Sequence, residues 1–155
     1  MAGARFDPAV HNRRRLAEHR GETPEQTLHG FRSVVTSTTA ASGHTPAWLG
    51  EVLVHAQDIR RPLGIEHQPP IEAVTAVATF YASRDFTVAS SSAVKGLRLE
   101  AADGPFVAGE GPLVTGTTLA LTMAMAGRVA FLTDLEGEGV ATLRERCAAL
   151  GQATA

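Results

Sequence analysis

Three ionisable side chains fall at helical spacing in the stretch WLGEVLVHAQDIRRPLG, residues 48–64. Glu51, His55 and Asp58 are separated by four and then three residues, so a helix brings them to one side. At about 100° per residue, they border a predicted apolar stripe of the same helix, formed by Trp48, Val52, Ala56 and Ile59. Groups at such a border face a cleft between helices, which is where helical bundles build metal sites.

Divalent-metal binding is the chemistry that this arrangement favours. A carboxylate and a neutral imidazole one turn apart can converge on one ion at about 2.0 to 2.2 Å, with Glu51 and His55 as the ligands. Asp58 can then accept a hydrogen bond from the other ring nitrogen of His55 and so orient the imidazole. The same spacing is also typical of an ordinary surface pair, so the residues alone leave both interpretations open.

Arg128 is a candidate outside this helix. It directly follows Gly127 at the end of the run TGTTLALTMAMAGR, and its guanidinium can hold a carboxylate through two parallel hydrogen bonds. A surface pair with Asp134 or Glu136 is the equally good alternative. Asp58 and Arg128 are therefore the candidate catalytic residues.

Arg60 and Arg61 lie at the predicted end of the same helix, where the helix dipole favours a cation. We expect them to cap the helix and to pair with Glu66 or Asp58, rather than to bind substrate.

Composition limits the classes of protein that this chain can belong to. Its 155 residues are 44% hydrophobic and 19% charged, which is typical of a folded domain. A formal net charge of -2 gives no drive toward nucleic acid or an anionic membrane. The single cysteine, Cys147, fits a reducing compartment, and no secretory signal or membrane-length apolar run is visible. We therefore predict a cytoplasmic protein that binds neither nucleic acid nor membranes.

The first part of the chain, residues 1–86, has the pattern of a helical bundle. A cap residue followed by proline predicts helix starts at Asp7-Pro8, Thr23-Pro24 and Thr45-Pro46. The third of these helices should end at Pro62 and Gly64. A fourth helix is predicted in IEAVTAVATFYAS, whose apolar face is formed by Ile71, Val74, Val77, Ala78 and Tyr81.

The second part, residues 87–155, should form a small α/β subdomain. Alternation around Leu97 and Leu99, followed by Asp103-Gly104, predicts a two-stranded hairpin. Glycine-rich GEGPLVTG lacks the spacing of a phosphate loop and is expected to be a turn. The next helix is predicted to begin at a threonine and to end at Gly127. A last helix is predicted in GEGVATLRERCAAL.

Three strings resemble one known family: WLGEVLVHAQDIRRPLGI, GEGPLVTGTTLALTMAMAGR and GEGVATLRER. They are similar to the actinobacterial mycothiol-dependent maleylpyruvate isomerase-like proteins, relatives of the DinB-like metal-binding bundles. The resemblance extends from about Phe6 to about Leu150, and its most specific part is the block GExxxHxxDIRRPLG. It implies an α+β protein in which a partial DinB-like bundle precedes the small subdomain.

The resemblance also implies a metal site and a cofactor. Family members hold a divalent metal, usually zinc, through the glutamate and histidine of this block, here Glu51 and His55, and through one histidine from an earlier helix. The ion activates the thiol of mycothiol for addition to an electrophilic substrate. No histidine here stands in the usual VxxHL-like context of the third ligand. The chain therefore starts after the family's first helices, or His44 or His11 substitutes, or the site has been lost.

Two functions from different classes follow. The first is a metal-dependent, thiol-linked isomerase or transferase, whose partners are a small-molecule thiol and an electrophilic substrate. The second is a catalytically silent binding or assembly domain, in which Glu51, His55 and Arg60 form a buried polar network. The lack of the family's first helices would expose apolar edges, so a homodimer is expected in either case.

Overall fold

The computed structural model describes residues 8–39, 45–86 and 88–153. It divides the chain into two compact units, Met1–Ala41 and Ser42–Ala155. This division does not coincide with the boundary predicted at residues 86 and 87. The helices on either side of that predicted boundary share one hydrophobic core, so the larger unit contains both helical and β structure.

The first unit contains helices α1 (Pro8–His19) and α2 (Pro24–Val34). The predicted start of α2 is confirmed, because the Thr23 hydroxyl accepts a hydrogen bond from the Gln26 amide. The Gln26 side chain accepts in turn from the amide of Glu22. Asp7, the cap predicted for α1, lies outside the described residues.

The second unit contains five α-helices, one 3₁₀ helix and four strands within the residues described. In chain order they are α3 (Thr45–Arg60), α4 (Ile71–Ser83), α5 (Ser90–Val94), β1 (Arg98–Ala101), β2 (Val107–Ala108), β3 (Leu113–Gly116), α6 (Thr118–Met125), the 3₁₀ helix (Val129–Asp134), β4 (Leu135–Glu136) and α7 (Val140–Ala153). The mixed α+β class is thus confirmed. None of the described helices is both long and apolar enough to cross a membrane.

The four strands form one small sheet in the order β2-β1-β3-β4. The predicted hairpin is confirmed, since β1 and β2 are antiparallel with Leu99 opposite Ala108. The prediction that GEGPLVTG is only a turn is wrong: its second half is β3, which runs parallel to β1 and places Val114 beside Leu99. β4 then pairs with β3 in the antiparallel direction.

The core of this unit is centred on α6, which packs against α4 and against strands β1 and β3. Val77 and Ala78 on α4 are fully buried, as are Met123 and Ala124 on α6 and Val114 on β3. α6 has no exposed polar face and is buried along almost its whole length, including its two threonines, Thr118 and Thr122, as expected of a central helix. Its position fixes where the chain emerges at Gly127.

α3 packs on α4 through a different face from the one predicted. Its buried residues are Ala47, Gly50, Leu53, Val54 and Gln57. The predicted stripe is wrong, because Trp48, Val52 and Ile59 are exposed. α3 lies close to α4 at Gly50: a Cβ there would lie 2.6 Å from the Tyr81 hydroxyl, so a larger residue would require the Tyr81 side chain to move.

The C-terminal cap of α6 matches its prediction. Gly127 has a φ of 79°, and the amide of Arg128 donates to the carbonyl of Met123.

Replacement of Gly127 by alanine should lower the free energy of unfolding by about 1 to 2 kcal/mol, because a Cβ disfavours this left-handed conformation. Denaturant unfolding measures the loss.

Gly127→Asn is the matched control. Asparagine tolerates the left-handed region better than alanine does, so it should lose clearly less stability. Apart from its chain neighbours, no atom lies within 4 Å of a Cβ added at Gly127, so a steric clash does not explain the loss. An equal loss in both variants would contradict the assignment of the loss to the left-handed conformation.

Candidate functional site

The three ionisable residues of α3 form one cluster, as predicted. His55 Nε2 lies 3.3 Å from a carboxylate oxygen of Glu51, and His55 Nδ1 lies 3.3 Å from a carboxylate oxygen of Asp58. The imidazole therefore stands between two carboxylates. The cluster borders the buried arc of α3 defined by Val54 and Gln57.

Arg128, which follows Gly127 at the end of α6, completes this cluster. Its Nε and Nη2 donate to the two carboxylate oxygens of Asp58 at 3.1 and 2.8 Å. A third hydrogen bond, from Nη1 to the carbonyl of Ala126, anchors the guanidinium to the end of α6. Arg128 thus does hold a carboxylate through two parallel hydrogen bonds, but its partner is Asp58 and not Asp134 or Glu136, the surface partners proposed from sequence.

Asp134 is instead paired with Arg61. Nη2 of Arg61 donates to Asp134 at 3.1 Å, and the guanidinium lies over the ring of Phe131, 4.1 Å from its centroid. The expectation that Arg61 pairs with Glu66 or Asp58 is therefore wrong. The two pairs, Asp58 with Arg128 and Arg61 with Asp134, join the last turn of α3 and the residue after it to the chain that follows α6.

These contacts set the charges of the carboxylates. Hydrogen bonding from Arg128 lowers the pKa of Asp58, with smaller contributions from the charge of Arg128 and from His55. Asp58 is thus ionised at neutral pH. Burial raises the pKa of Tyr81, and the nearby charge of Glu51 raises it further, so this phenol keeps its proton.

A cavity of about 200 Å³ opens beside the cluster. Glu51, His55 and Arg128 supply its polar lining together with Tyr81, and Val54 is among its apolar residues. Sequence reasoning missed Tyr81, which was interpreted only as part of the apolar face of α4. Its hydroxyl could have been noticed as the polar atom on an otherwise apolar stripe.

The donor set fits part of a metal site. Two ligand atoms bound to one tetrahedral ion at about 2.0 to 2.1 Å lie about 3.3 to 3.4 Å apart, and His55 Nε2 and the Glu51 oxygen have this separation. Within residues 8–39, 45–86 and 88–153, no three His, Cys, Asp or Glu side chains form a group able to hold an ion. Of the suggested substitutes, His44 lies outside those ranges, and His11 lies on α1 of the first unit.

The pKa of Asp58 offers a test of the cluster. Arg128→Gln removes the main hydrogen-bond donor, so the pKa of Asp58 should rise toward its ordinary value of about 3.9, while that of Asp134 stays low. Arg61→Gln should do the reverse, because hydrogen bonding from Arg61 is the main cause of the low pKa of Asp134. Carbon-13 NMR titration of the carboxyl groups measures both.

The sign of the pH effect on stability follows. A carboxyl whose pKa is lowered by folding stabilises the protein above its unfolded pKa, and this contribution is lost as pH falls through the folded value. The acid limb of the unfolding curve should therefore flatten in each variant. An unchanged pKa of Asp58 in Arg128→Gln would show that this ion pair does not form in solution.

No protein-family model, curated protein or solved structure matches the chain. The resemblance to maleylpyruvate isomerase-like proteins therefore stays a prediction, and the geometry of Glu51, His55, Asp58 and Arg128 carries the functional argument.

Proposed function

We propose that Glu51 and His55 bind a divalent metal ion, with zinc as the first candidate. We further propose that the protein is a metal-dependent, thiol-linked isomerase or transferase. The observation that carries the proposal is the position of the His55 imidazole between two carboxylates. A neutral imidazole has one N–H and one lone pair. One of the two carboxylates therefore faces the lone pair, unless a proton or a metal ion lies between them.

The contacts of Asp58 indicate on which side the ion would sit. Asp58 is ionised and fixed by Arg128, which makes it the natural acceptor for the Nδ1–H of His55. The lone pair is then on Nε2, toward Glu51. A carboxylate behind a metal-bound histidine fixes the ring orientation and raises the basicity of the ligand nitrogen. In this proposal Asp58 is a positioning residue, and Arg128 holds it in place.

When bound, the ion supplies Lewis acidity that favours the thiolate form of a small thiol, with mycothiol as the candidate from the resemblance. Addition of the thiolate to an activated C=C bond of the substrate would form a C–S bond, break the π bond and place its electron pair on the adjoining carbonyl as an enolate. Rotation about the resulting single bond and expulsion of the thiolate by that electron pair would give the isomer, whereas protonation of the enolate from water would give the thiol adduct. Arg128 lines the cavity beside Glu51 and His55, where its guanidinium offers hydrogen bonds to a substrate carboxylate.

A catalytically silent binding or assembly domain is the second candidate, and the exposed apolar surface favours it. α2 has no buried residues and exposes Leu28, Phe31 and Val34, while α3 exposes Val52 and Ile59. Apolar residues on a helix that buries none of them are typical of interaction surfaces. A homodimer is our proposal for what covers them.

The polar network expected in this second candidate differs from the one in the structure. From Glu51 and His55 it extends through Asp58 to Arg128, and not to Arg60 as predicted from sequence. The prediction that it is buried is also wrong, because the His55 side chain is 62% exposed. Such a network would tie α3 to the end of α6 without any reaction taking place.

Metal content separates the two candidates. The purified protein, dialysed against zinc and then against buffer, should retain about one ion per chain. His55→Ala and Glu51→Ala should each lose it, because each removes one of two ligands. Asp58→Asn should weaken zinc binding by about 10- to 100-fold. Elemental mass spectrometry gives the content, and competition with a chelating dye gives the affinity.

His29→Ala is the control, because His29 is an exposed histidine on α2, and it should leave the zinc content unchanged. A chelator should also lower the melting temperature of the wild-type protein but not that of His55→Ala. Zinc retained in both His55→Ala and Glu51→Ala, or no zinc in the wild type, would refute the metal site and leave the assembly domain.

A further inference from the structure

The Tyr81 hydroxyl is a polar group of the candidate site to which the proposed metal site gives no role. Tyr81 is 4% exposed and lines the cavity of about 200 Å³ together with Glu51, His55 and Arg128. It comes from α4, whereas Glu51 and His55 come from α3, and these two helices pack against each other. The cavity therefore has a phenol on one helix and a carboxylate and an imidazole on the other.

Two observations locate the oxygen of this phenol. A Cβ added at Gly50 would lie 2.6 Å from it, so the oxygen lies against α3 one residue before Glu51. Burial raises the pKa of the phenol, and the charge of Glu51 adds to this effect while the charge of Arg128 opposes it. The oxygen therefore lies near both charged groups, and at neutral pH it carries a proton that it can donate.

This donor is open to the cavity and has no acceptor in the described part of the protein. Within residues 8–39, 45–86 and 88–153, the Tyr81 hydroxyl makes no hydrogen bond. The partnerless side-chain atoms that are shut off from solvent in these ranges belong to Gln57 and Thr75, so the Tyr81 oxygen is not shut off. A buried tyrosine usually uses its O–H in a hydrogen bond. The Tyr81 hydroxyl is therefore available to an acceptor on a ligand in the cavity.

The proposed reaction requires an acceptor of the kind that a phenol binds. A thiolate adds to a C=C bond when a carbonyl group is conjugated with it, because the carbonyl oxygen takes up the electron pair of the π bond. A fixed O–H donor bonds this oxygen more strongly in the enolate than in the substrate, because the enolate oxygen carries negative charge. Such a bond lowers the barrier to addition.

We propose that Tyr81 is a catalytic residue whose hydroxyl binds the carbonyl oxygen of the thiol acceptor. The inference rests on the proposed function and adds to it the group of the substrate that α4 contacts. As the C–S bond forms and the π bond breaks, the electron pair moves to the oxygen that Tyr81 bonds. Tyr81 keeps its proton throughout, so expulsion of the thiolate after rotation restores the carbonyl group and leaves the phenol unchanged.

Binding to the hydroxyl can be observed directly, because Tyr81 is the single tyrosine of the chain. A carbon-13 label at the ζ carbon of tyrosine therefore gives one resonance, from the atom that carries the hydroxyl. Cyclohexanone is the probe, since it is an uncharged ketone without a reactive C=C bond. In chelator-treated wild-type protein, the resonance should shift as cyclohexanone is added. A resonance that stays in place in a large excess of cyclohexanone, or that moves only with 2-mercaptoethanol, would overturn the inference.

Tyr81→Phe removes the hydroxyl and keeps the ring. It should bind cyclohexanone about three- to tenfold more weakly in a ligand-observed NMR titration, the usual effect of losing one neutral hydrogen bond. In denaturant it should be at least as stable as the wild type, because the hydroxyl has no acceptor among the described residues. A clear loss of stability would show that the hydroxyl bonds to the protein itself and contradict its role in binding.

Thr79→Val is the matched control. It removes a hydroxyl from an exposed residue of α4 that does not line this cavity, and it should bind cyclohexanone as the wild type does. Equal weakening in Thr79→Val and Tyr81→Phe, or no weakening in Tyr81→Phe, would count against the carbonyl contact.

Zinc-loaded protein tests the catalytic step, with 2-mercaptoethanol as the thiol and cyclohex-2-enone as the acceptor. Tyr81→Phe should lower kcat for adduct formation about 100-fold, the usual effect of removing one donor to a developing oxyanion. It should keep its zinc, since Tyr81 is not a proposed ligand. Full zinc content with an unchanged kcat would overturn the inference but not the proposed function. No zinc in the wild type, with a tyrosine resonance that still moves with cyclohexanone, would refute the metal chemistry and support the carbonyl contact.

Discussion

Asp58 and Arg128 are 70 positions apart in the chain, and the two hydrogen bonds between them hold the site together. Arg128 reaches Asp58 because Gly127 turns the chain at the end of α6 in a left-handed conformation. The same turn lets the Arg128 amide close the helix on Met123. A local feature of α6, its glycine cap, therefore decides which group stands behind His55 on α3.

This ion pair acts through position more than through stability. The side chains of Asp58 and Arg128 are 35% and 29% exposed, and a pair that water reaches contributes at most about 1 kcal/mol. Its geometric effect is larger. The guanidinium is itself anchored to the carbonyl of Ala126, so Asp58 keeps one orientation and one charge state. An ionised carboxylate held 3.3 Å from Nδ1 of His55 favours the tautomer with the proton on Nδ1, which leaves the lone pair on Nε2.

The spacing of Glu51, His55 and Asp58 was enough to predict the cluster on α3. Residues four and three positions apart lie on one face of a helix, independently of what packs against that helix. The predicted buried face was wrong because hydropathy favoured Trp48 and Ile59, whereas the structure buries the small residues Ala47 and Gly50, and Gly50 lies against the Tyr81 hydroxyl. Strand β3 was missed because its four residues follow a glycine-rich turn and pair in parallel with β1, a partner that no local pattern reveals. The partner of Arg128 could not be predicted for the same reason: Arg128 pairs with Asp58, 70 positions away, and not with Asp134 or Glu136, which are close in sequence.

Gln57 shows what a hydropathy pattern hides. It lies one residue before Asp58, so it points about 100° away from it, into the arc that a polar side chain is expected to avoid. The two residues nevertheless line one cavity of about 500 Å³ at the end of α3, together with Arg61 and Arg128. Arg128 also lines the smaller cavity beside Glu51 and His55. Because the same guanidinium fixes Asp58, a change in its hydrogen bonds at either cavity alters the group that faces Nδ1 of His55.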